Sequence, residues 1–245
     1  MSTLENEPKK PVSGGAAVVP GEEPSLETTA MGLGAKAVQN FTPLEQICRH
    51  LCGLHVYTHD MTRQVEAHHY CSHQSSDMLQ CVIYDSPEKD ARLIGIEYII
   101  SSKLYNDLPE SEKVYWHLHT YEVKGGILTL PVSRFVPAAV HEAIERKELS
   151  KVVNTYGKTW HLWQIDRGDI LPYGPPSLMM SFTSDNQIDP NLLEQRDKRE
   201  GVRSEDLRER RKDIPIEPRP PGAQEKLLEE TMAWQAKMEK IPLLC

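Results

Sequence analysis

The strongest constraint on this chain is a change of hydrophobic period between Arg63 and Ser101. Apolar and polar side chains alternate there with a period of two, and two turn-rich segments, 74–77 and 86–90, interrupt the alternation. Successive side chains of an extended backbone point to opposite faces, so such a stretch makes strands rather than helices. Three strands are expected, 64–73, 78–85 and 92–101, joined by short connections into an antiparallel meander.

Around the meander the signals are helical. Thr42, Pro43 and Glu45 supply a cap, a first-turn proline and a capping acid. Leu44, Ile47, Cys48, Leu51, Cys52 and His55 then recur at helical spacing, which predicts a helix over 42–55. Pro109, Glu110 and Glu112 open a second expected helix, 109–124, that Gly125 and Gly126 close, with Val114, Leu118 and Tyr121 inward. A third, 137–154, turns Val140, Ile144 and Leu149 inward, while 127–131, 159–165 and 177–183 read as strands. The fold class is therefore α+β, mainly antiparallel sheet with flanking helices.

The two ends differ in composition from this core. Residues 1–38 hold Pro, Gly, Ser, Ala and Glu with little large apolar content, too little to offset the entropy of ordering, and read as a disordered tail. The α+β domain is assigned to 39–190, and 191–245 reads as a charged, proline-interrupted helical arm. Within it, 194–213 carries eight basic and seven acidic residues, the mark of a solvated helix or loose arm. Beyond the proline-rich 214–221, a last helix over 223–240 presents Leu227, Leu228, Trp234 and Met238. That face could dock on its own domain or lie on a lipid surface.

Composition excludes several functions. The longest apolar stretch, 93–100, falls far short of the roughly 20 residues that cross a bilayer. Met1 to Lys10 lacks a basic start followed by an apolar run, so a cytoplasmic chain is expected. Five cysteines, an odd number, then read as free and mostly buried thiols. A net charge of -8 with no uninterrupted Lys/Arg cluster argues against nucleic-acid partners.

Ten histidines are the compositional oddity, and six of them crowd between His50 and His73. On a strand, His69, Cys71 and His73 share one face and His68 the other. Imidazole is a good ligand for a divalent transition metal such as zinc. The candidate metal ligands are His68, His69, His73, His117, His119 and His161; hydrogen-bonded core histidines are the competing explanation. If 109–124 is helical, His117 and His119 point about 200° apart and cannot chelate together, which leaves His119 with Glu122. Glu97 stands alone in an apolar strand, where a carboxylate is costly unless paired or metal-bound, with a histidine or Arg92 as its expected partner. Glu97, Tyr121, Trp160 and Trp163 are the candidate small-ligand contacts, because a site needs an apolar wall with a few fixed polar groups. Cys71 and Cys81 carry no hydrolase signature around them.

These motifs resemble the oil body-associated proteins over about residues 40–215. The resemblance is carried by His68-His69-Tyr70-Cys71 with His73, by Gln80-Cys81 with Tyr84-Asp85, and by Leu93 to Tyr98. Trp116 to Val123, and Tyr156 to Asp169 continuing through Leu178 to Thr183, complete it. It implies a plant seed protein of the lipid-droplet surface and cytoplasm that helps keep droplets small and stable. Without a long apolar hairpin, attachment would be peripheral, through the droplet surface or droplet proteins. Similar proteins in fungi and bacteria imply an older ligand-binding or catalytic role, with no catalytic residue to carry over. The alternative function is a metal-dependent enzyme or small-ligand binder with a histidine-rich site.

Overall fold

The computed structural model describes residues 19–133 and 135–240. Helix α1 (Leu26–Val38) and the single turn α2 (Thr42–Glu45) lead into β1 (Arg49–Tyr57), β2 (Asp60–Ser75), β3 (Met78–Tyr84) and β4 (Leu93–Ser101). Next come α3 (Ser102–Asn106), α4 (Glu110–Lys113), β5 (His117–Leu118), α5 (Thr120–Lys124), α6 (Ala138–Val152), β6 (Thr155–His161) and β7 (Ser177–Met180). Helices α7 (Pro190–Glu200), α8 (Ser204–Arg210) and α9 (Ala223–Glu230) end the described chain.

Every strand pairing is antiparallel, and neighbours follow the order β4, β3, β2, β1, β7, β6, β5. Strand β4 also pairs with β6, so six strands close into a barrel. Strand β5 continues the wall beside β6 at Tyr156 and Gly157, where β7 no longer reaches. The α+β class with its antiparallel sheet stands as expected; closure joins segments far apart in the chain, which local alternation cannot reveal.

The register fixes what lies inside. Tyr57, Val65, Ala67, Ile83 and Met179 pack with Ile165 as one apolar layer, and Cys71, Leu79, Cys81 and Ile99 as another. The outward residues Leu54, Val56, Leu178 and Met180 pack under Leu192 of α7 and Ala223 of α9. Gln224 of α9 pairs with both backbone groups of Leu118, accepting from its amide at 3.2 Å and donating to its carbonyl at 3.1 Å.

Several expectations need correction. The helix over 42–55 is only one turn, and Arg49–Tyr57 is a strand. Leu51 to Tyr57 is buried on both faces, and a run of that kind does not separate strand from helix by period. The helix over 109–124 breaks into α4, β5 and α5, because pairing of His117 and Leu118 with β6 overrides the capping signals. In α6 the buried residues are Glu145, Leu149 and Val152, while Val140 and Ile144 are exposed. The 127–131 strand is reduced to a bridge between Cys52 and Thr129. Strands β6 and β7 end at His161 and Met180, earlier than the alternation suggested.

Cys71 and Cys81 are joined in a disulfide, since the β2–β3 register sets them directly opposite. Odd cysteine parity could not show this, and the bond removes both from consideration as thiol nucleophiles. Cys48 is free and exposed and Cys52 free and buried; Cys245 lies outside the described residues. Of the expected tail, 1–18 lies outside the described residues, and Leu26–Val38 forms a helix, capped by Ser25, that buries no residue. The mixed-charge segment forms α7 and α8, which Arg196 fastens to the barrel side. This fully buried guanidinium donates to the carbonyls of Gly126 and Ile127 and to Ser204. The last helix stops at Glu230, with Leu227 packed on the core and Trp234 and Met238 beyond it exposed.

Candidate functional site

Between the apolar layers the barrel interior is polar. His55 from β1, His69 from β2, Glu97 from β4 and His161 from β6 occupy inward positions of the register, each at most 3% exposed. Strand β5 adds His117, opposite Gly157, and His119 precedes α5. Glu122, in the first turn of α5, is buried beside them.

Glu97 joins these side chains. Its Oε2 lies 3.1 Å from His69 Nε2, and its Oε1 lies 3.3 Å from both His117 Nε2 and His119 Nε2. His69 Nε2 also lies 3.1 Å from His55 Nε2, and His55 Nδ1 lies 3.0 Å from His161 Nε2. The His119 ring is held by a 2.9 Å contact of Nδ1 with Thr155 Oγ1, and Glu122 Oε2 is 4.0 Å from His119 Nε2. A glycine is required where β6 passes: a Cβ on Gly157 would fall 2.8 Å from His117 Nε2 and from His119 Nε2, and closer still to Glu97 Oε1.

Burial and neighbours set the charges. Burial pulls His161 down to about 3, helped by His69, and it holds His55 well below the ordinary histidine range, helped by His69 and His161. Burial alone would raise the Glu97 carboxyl, but the imidazoles of His117, His119 and His69 set against it hold it well below its usual value. Burial also works against a charged His119, yet the hydrogen bond and charge of Glu97 raise it. Glu122 is pushed up by burial.

The alternate residues of β1 and β2 build a second cluster on the outer face. His68 Nε2 lies 2.7 Å from Glu66 Oε1 and His68 Nδ1 3.0 Å from His50 Nε2, while Cys52 Sγ is 3.5 Å from Glu66 Oε1. Arg199 of α7 donates to the same Glu66 oxygen. Burial opposes ionisation of Glu66, but the His68 and Arg199 contacts lower it; burial, Glu200 and Glu66 drive the Cys52 thiol up. Burial, with His68 and His69 nearby, lowers His50 to about 4. His50, His68 and Arg199 face an open cavity of about 570 Å³ beside α6 and α7.

Of the sequence-derived candidates, Glu97, His69, His117, His119 and His161 come together in the barrel. His68 faces the outer cluster, and His73 is exposed near the end of β2, its Nδ1 3.3 Å from the Ser75 carbonyl. Tyr121 donates to Asp185 at the surface, and Trp160 lies on the outer face near Tyr115. Trp163 falls beyond β6, donating to the Asp169 carbonyl at 2.8 Å. None of these three aromatic residues lies at Glu97. The 200° separation of His117 and His119 fails with the helix that implied it. Glu97 meets three histidines, while Arg92 pairs with Asp85 at 2.6 Å. Sequence reasoning missed His55, because its strand read as helix. It also missed Glu66, although an acid between Val65 and Ala67 carries the same signal that singled out Glu97.

Residues 41–215 match a family described as a protein of unknown function, DUF1264. The chain is 49% identical over 193 residues to oil body-associated protein 1B of Arabidopsis thaliana, covering 79% of this chain and 77% of that protein. It is 45% identical over 193 residues to oil body-associated protein 1A of Zea mays, covering 79% and 78%. With oil body-associated protein 2A of Zea mays the identity is 42% over 197 residues, covering 80% and 75%. No solved structure matches the chain.

Proposed function

The chain belongs to the oil body-associated protein family, and from that premise we propose that it attaches peripherally to lipid droplets and contributes to their stability and small size. The observation that carries this reading is the name shared by relatives that align over most of the chain. No helix among the described residues is long and apolar enough to cross a membrane, which favours attachment by surface side chains or through a droplet protein. Helix α1 offers Leu26, Met31, Leu33 and Val38, all more than 60% exposed.

Flotation tests the reading. Purified chain mixed with phospholipid-coated triacylglycerol droplets should rise with them and resist a salt wash, and droplets carrying it should coalesce more slowly. Recovery in the soluble fraction at every salt concentration, with oil-body proteins present or absent, would sink it. A double substitution, Met31→Glu with Leu33→Glu, should weaken flotation if α1 makes the contact.

A second reading, a metal-dependent enzyme or small-ligand binder, is supported by one observation: imidazoles from β2, β5 and the β5–α5 turn meet a single buried carboxylate.

A further inference from the structure

Six acidic side chains of the described chain are buried: Glu66, Asp85, Glu97, Glu122, Glu145 and Asp166. Four face an arginine, namely Arg199, Arg92, Arg211 and Arg63 in the order Glu66, Asp85, Glu145 and Asp166. The other two, Glu97 and Glu122, are both in the barrel, and their ion-pair partners are histidines alone. A guanidinium carries a permanent positive charge, whereas an imidazole carries one only when protonated.

Hydrogen bonding leaves the same place unfinished. Both ring nitrogens of His117, Nδ1 of His69 and of His161, Oε2 of Glu122 and the Thr159 hydroxyl are buried with no hydrogen-bond partner. Buried polar atoms are normally satisfied, and a group of exceptions in one place asks for a partner of another kind. The geometry says which. Four ligands placed tetrahedrally about 2.0–2.1 Å from an ion lie about 3.3–3.4 Å from one another. Glu97 Oε1 lies 3.3 Å from both His117 Nε2 and His119 Nε2, and these three residues form one group whose donor atoms lie within 4.8 Å of one another, while His69 meets the other carboxylate oxygen, Oε2, and groups with His55 instead. Gly157 keeps that space clear of a side chain.

We propose that the barrel holds a divalent first-row transition ion, bound by Oε1 of Glu97 and by Nε2 of His117 and His119, with a fourth position left open. Imidazole and carboxylate donors together suit zinc, cobalt, iron or manganese better than calcium. His69, on the other carboxylate oxygen, is a positioning residue, backed by His55 and His161. The ligands come from β4, β5 and the turn before α5, so the ion would tie the β5–α5 segment to the barrel wall. This inference deepens the second reading and is independent of droplet attachment.

The test uses the full chain purified without an affinity tag, reconstituted separately with zinc and with cobalt, dialysed against metal-free buffer and assayed by elemental analysis. Wild type should keep about one ion per chain, and the cobalt form should show the visible bands of a four- or five-coordinate site. Glu97→Gln and His119→Gln should fall below about a tenth of an ion per chain, while His73→Gln keeps the wild-type value. If either ligand variant fails to fold, the wild-type spectrum and stoichiometry still decide. Wild type retaining less than about a tenth of either ion overturns the proposal, as does a folded Glu97→Gln that retains as much as wild type. A chain that binds no ion but carries a small organic molecule in native mass spectrometry overturns the metal centre and leaves the ligand-binding form of the second reading standing.

Discussion

His68 and His69 are consecutive on β2, yet the pleat sends one to the outer face and the other into the barrel, and each meets a glutamate. Outside, Glu66 is met by His68 and by Arg199 and lies beneath a cavity open to solvent. Inside, Glu97 is met by three imidazoles and no guanidinium. The two sites share strands and residue types but differ in who supplies the positive charge. A carboxylate closed by arginine has a permanent cation within the chain; one closed by imidazoles has none that is permanent, and is the one with room for a metal ion. Histidine crowding in a sequence is therefore a weak guide to a metal site until the cation partner of each nearby acid is known.

The comparison can be broken first at Arg199. Arg199→Met leaves Glu66, which is wholly buried, with only His68 and the Cys52 thiol, and it should cost about 3 kcal/mol in urea unfolding, since removing the permanent cation strands a buried charge. Adding Glu66→Gln should recover most of that loss; a double variant as unstable as the single one would show that Arg199 acts through packing. Gly157→Ala attacks the inner site by bulk and should cost about 2 kcal/mol as strand and ligands move apart. The same variant should lose metal, whereas Arg199→Met should keep it. A smaller and sharper contrast compares Glu97→Gln with Glu66→Gln before and after a chelator. The gap in melting temperature between Glu97→Gln and wild type should shrink when the ion is stripped, because only wild type had one to lose. The gap for Glu66→Gln should not change.

Much of this arrangement is legible in the sequence, and the failures have physical causes. Strands β2, β3 and β4 follow from alternation, and Glu97 declares itself as an acid in an apolar strand. Closure of the barrel does not, because the β4–β6 pairing depends on residues that local patterns cannot bring together. His117 and His119 read as helical because capping signals are local, whereas the edge offered by Tyr156 and Gly157 is not. His55 was lost for a related reason, since β1 is buried on both faces and has no polar side to betray its period. What determines the chemistry, an arginine on α7 for one glutamate and none for the other, is a tertiary fact.

The smallest effect separates the two kinds of carboxylate by pH. Asp166 is an arginine-closed acid: Arg63 donates to it at 2.6 and 2.9 Å, and Tyr57 donates at 2.7 Å. Burial alone would raise its carboxyl, but these bonds overcome that and hold it below the ordinary value. With the folded value depressed, the native state binds fewer protons than the unfolded one through the acid range. Its contribution is thus complete above the unfolded aspartate value, about 3.9, and is lost as pH falls through the folded value. Arg63→Met removes the strongest of those bonds, so the stability difference from wild type, about 1–2 kcal/mol near neutrality, should narrow steadily on acidification below about pH 4. Urea midpoints of both proteins between neutrality and the acid limit measure this directly. A difference that stays constant would mean that the guanidinium, which also lies 3.7 Å over the Tyr57 ring, stabilises the barrel mouth by stacking rather than by charge.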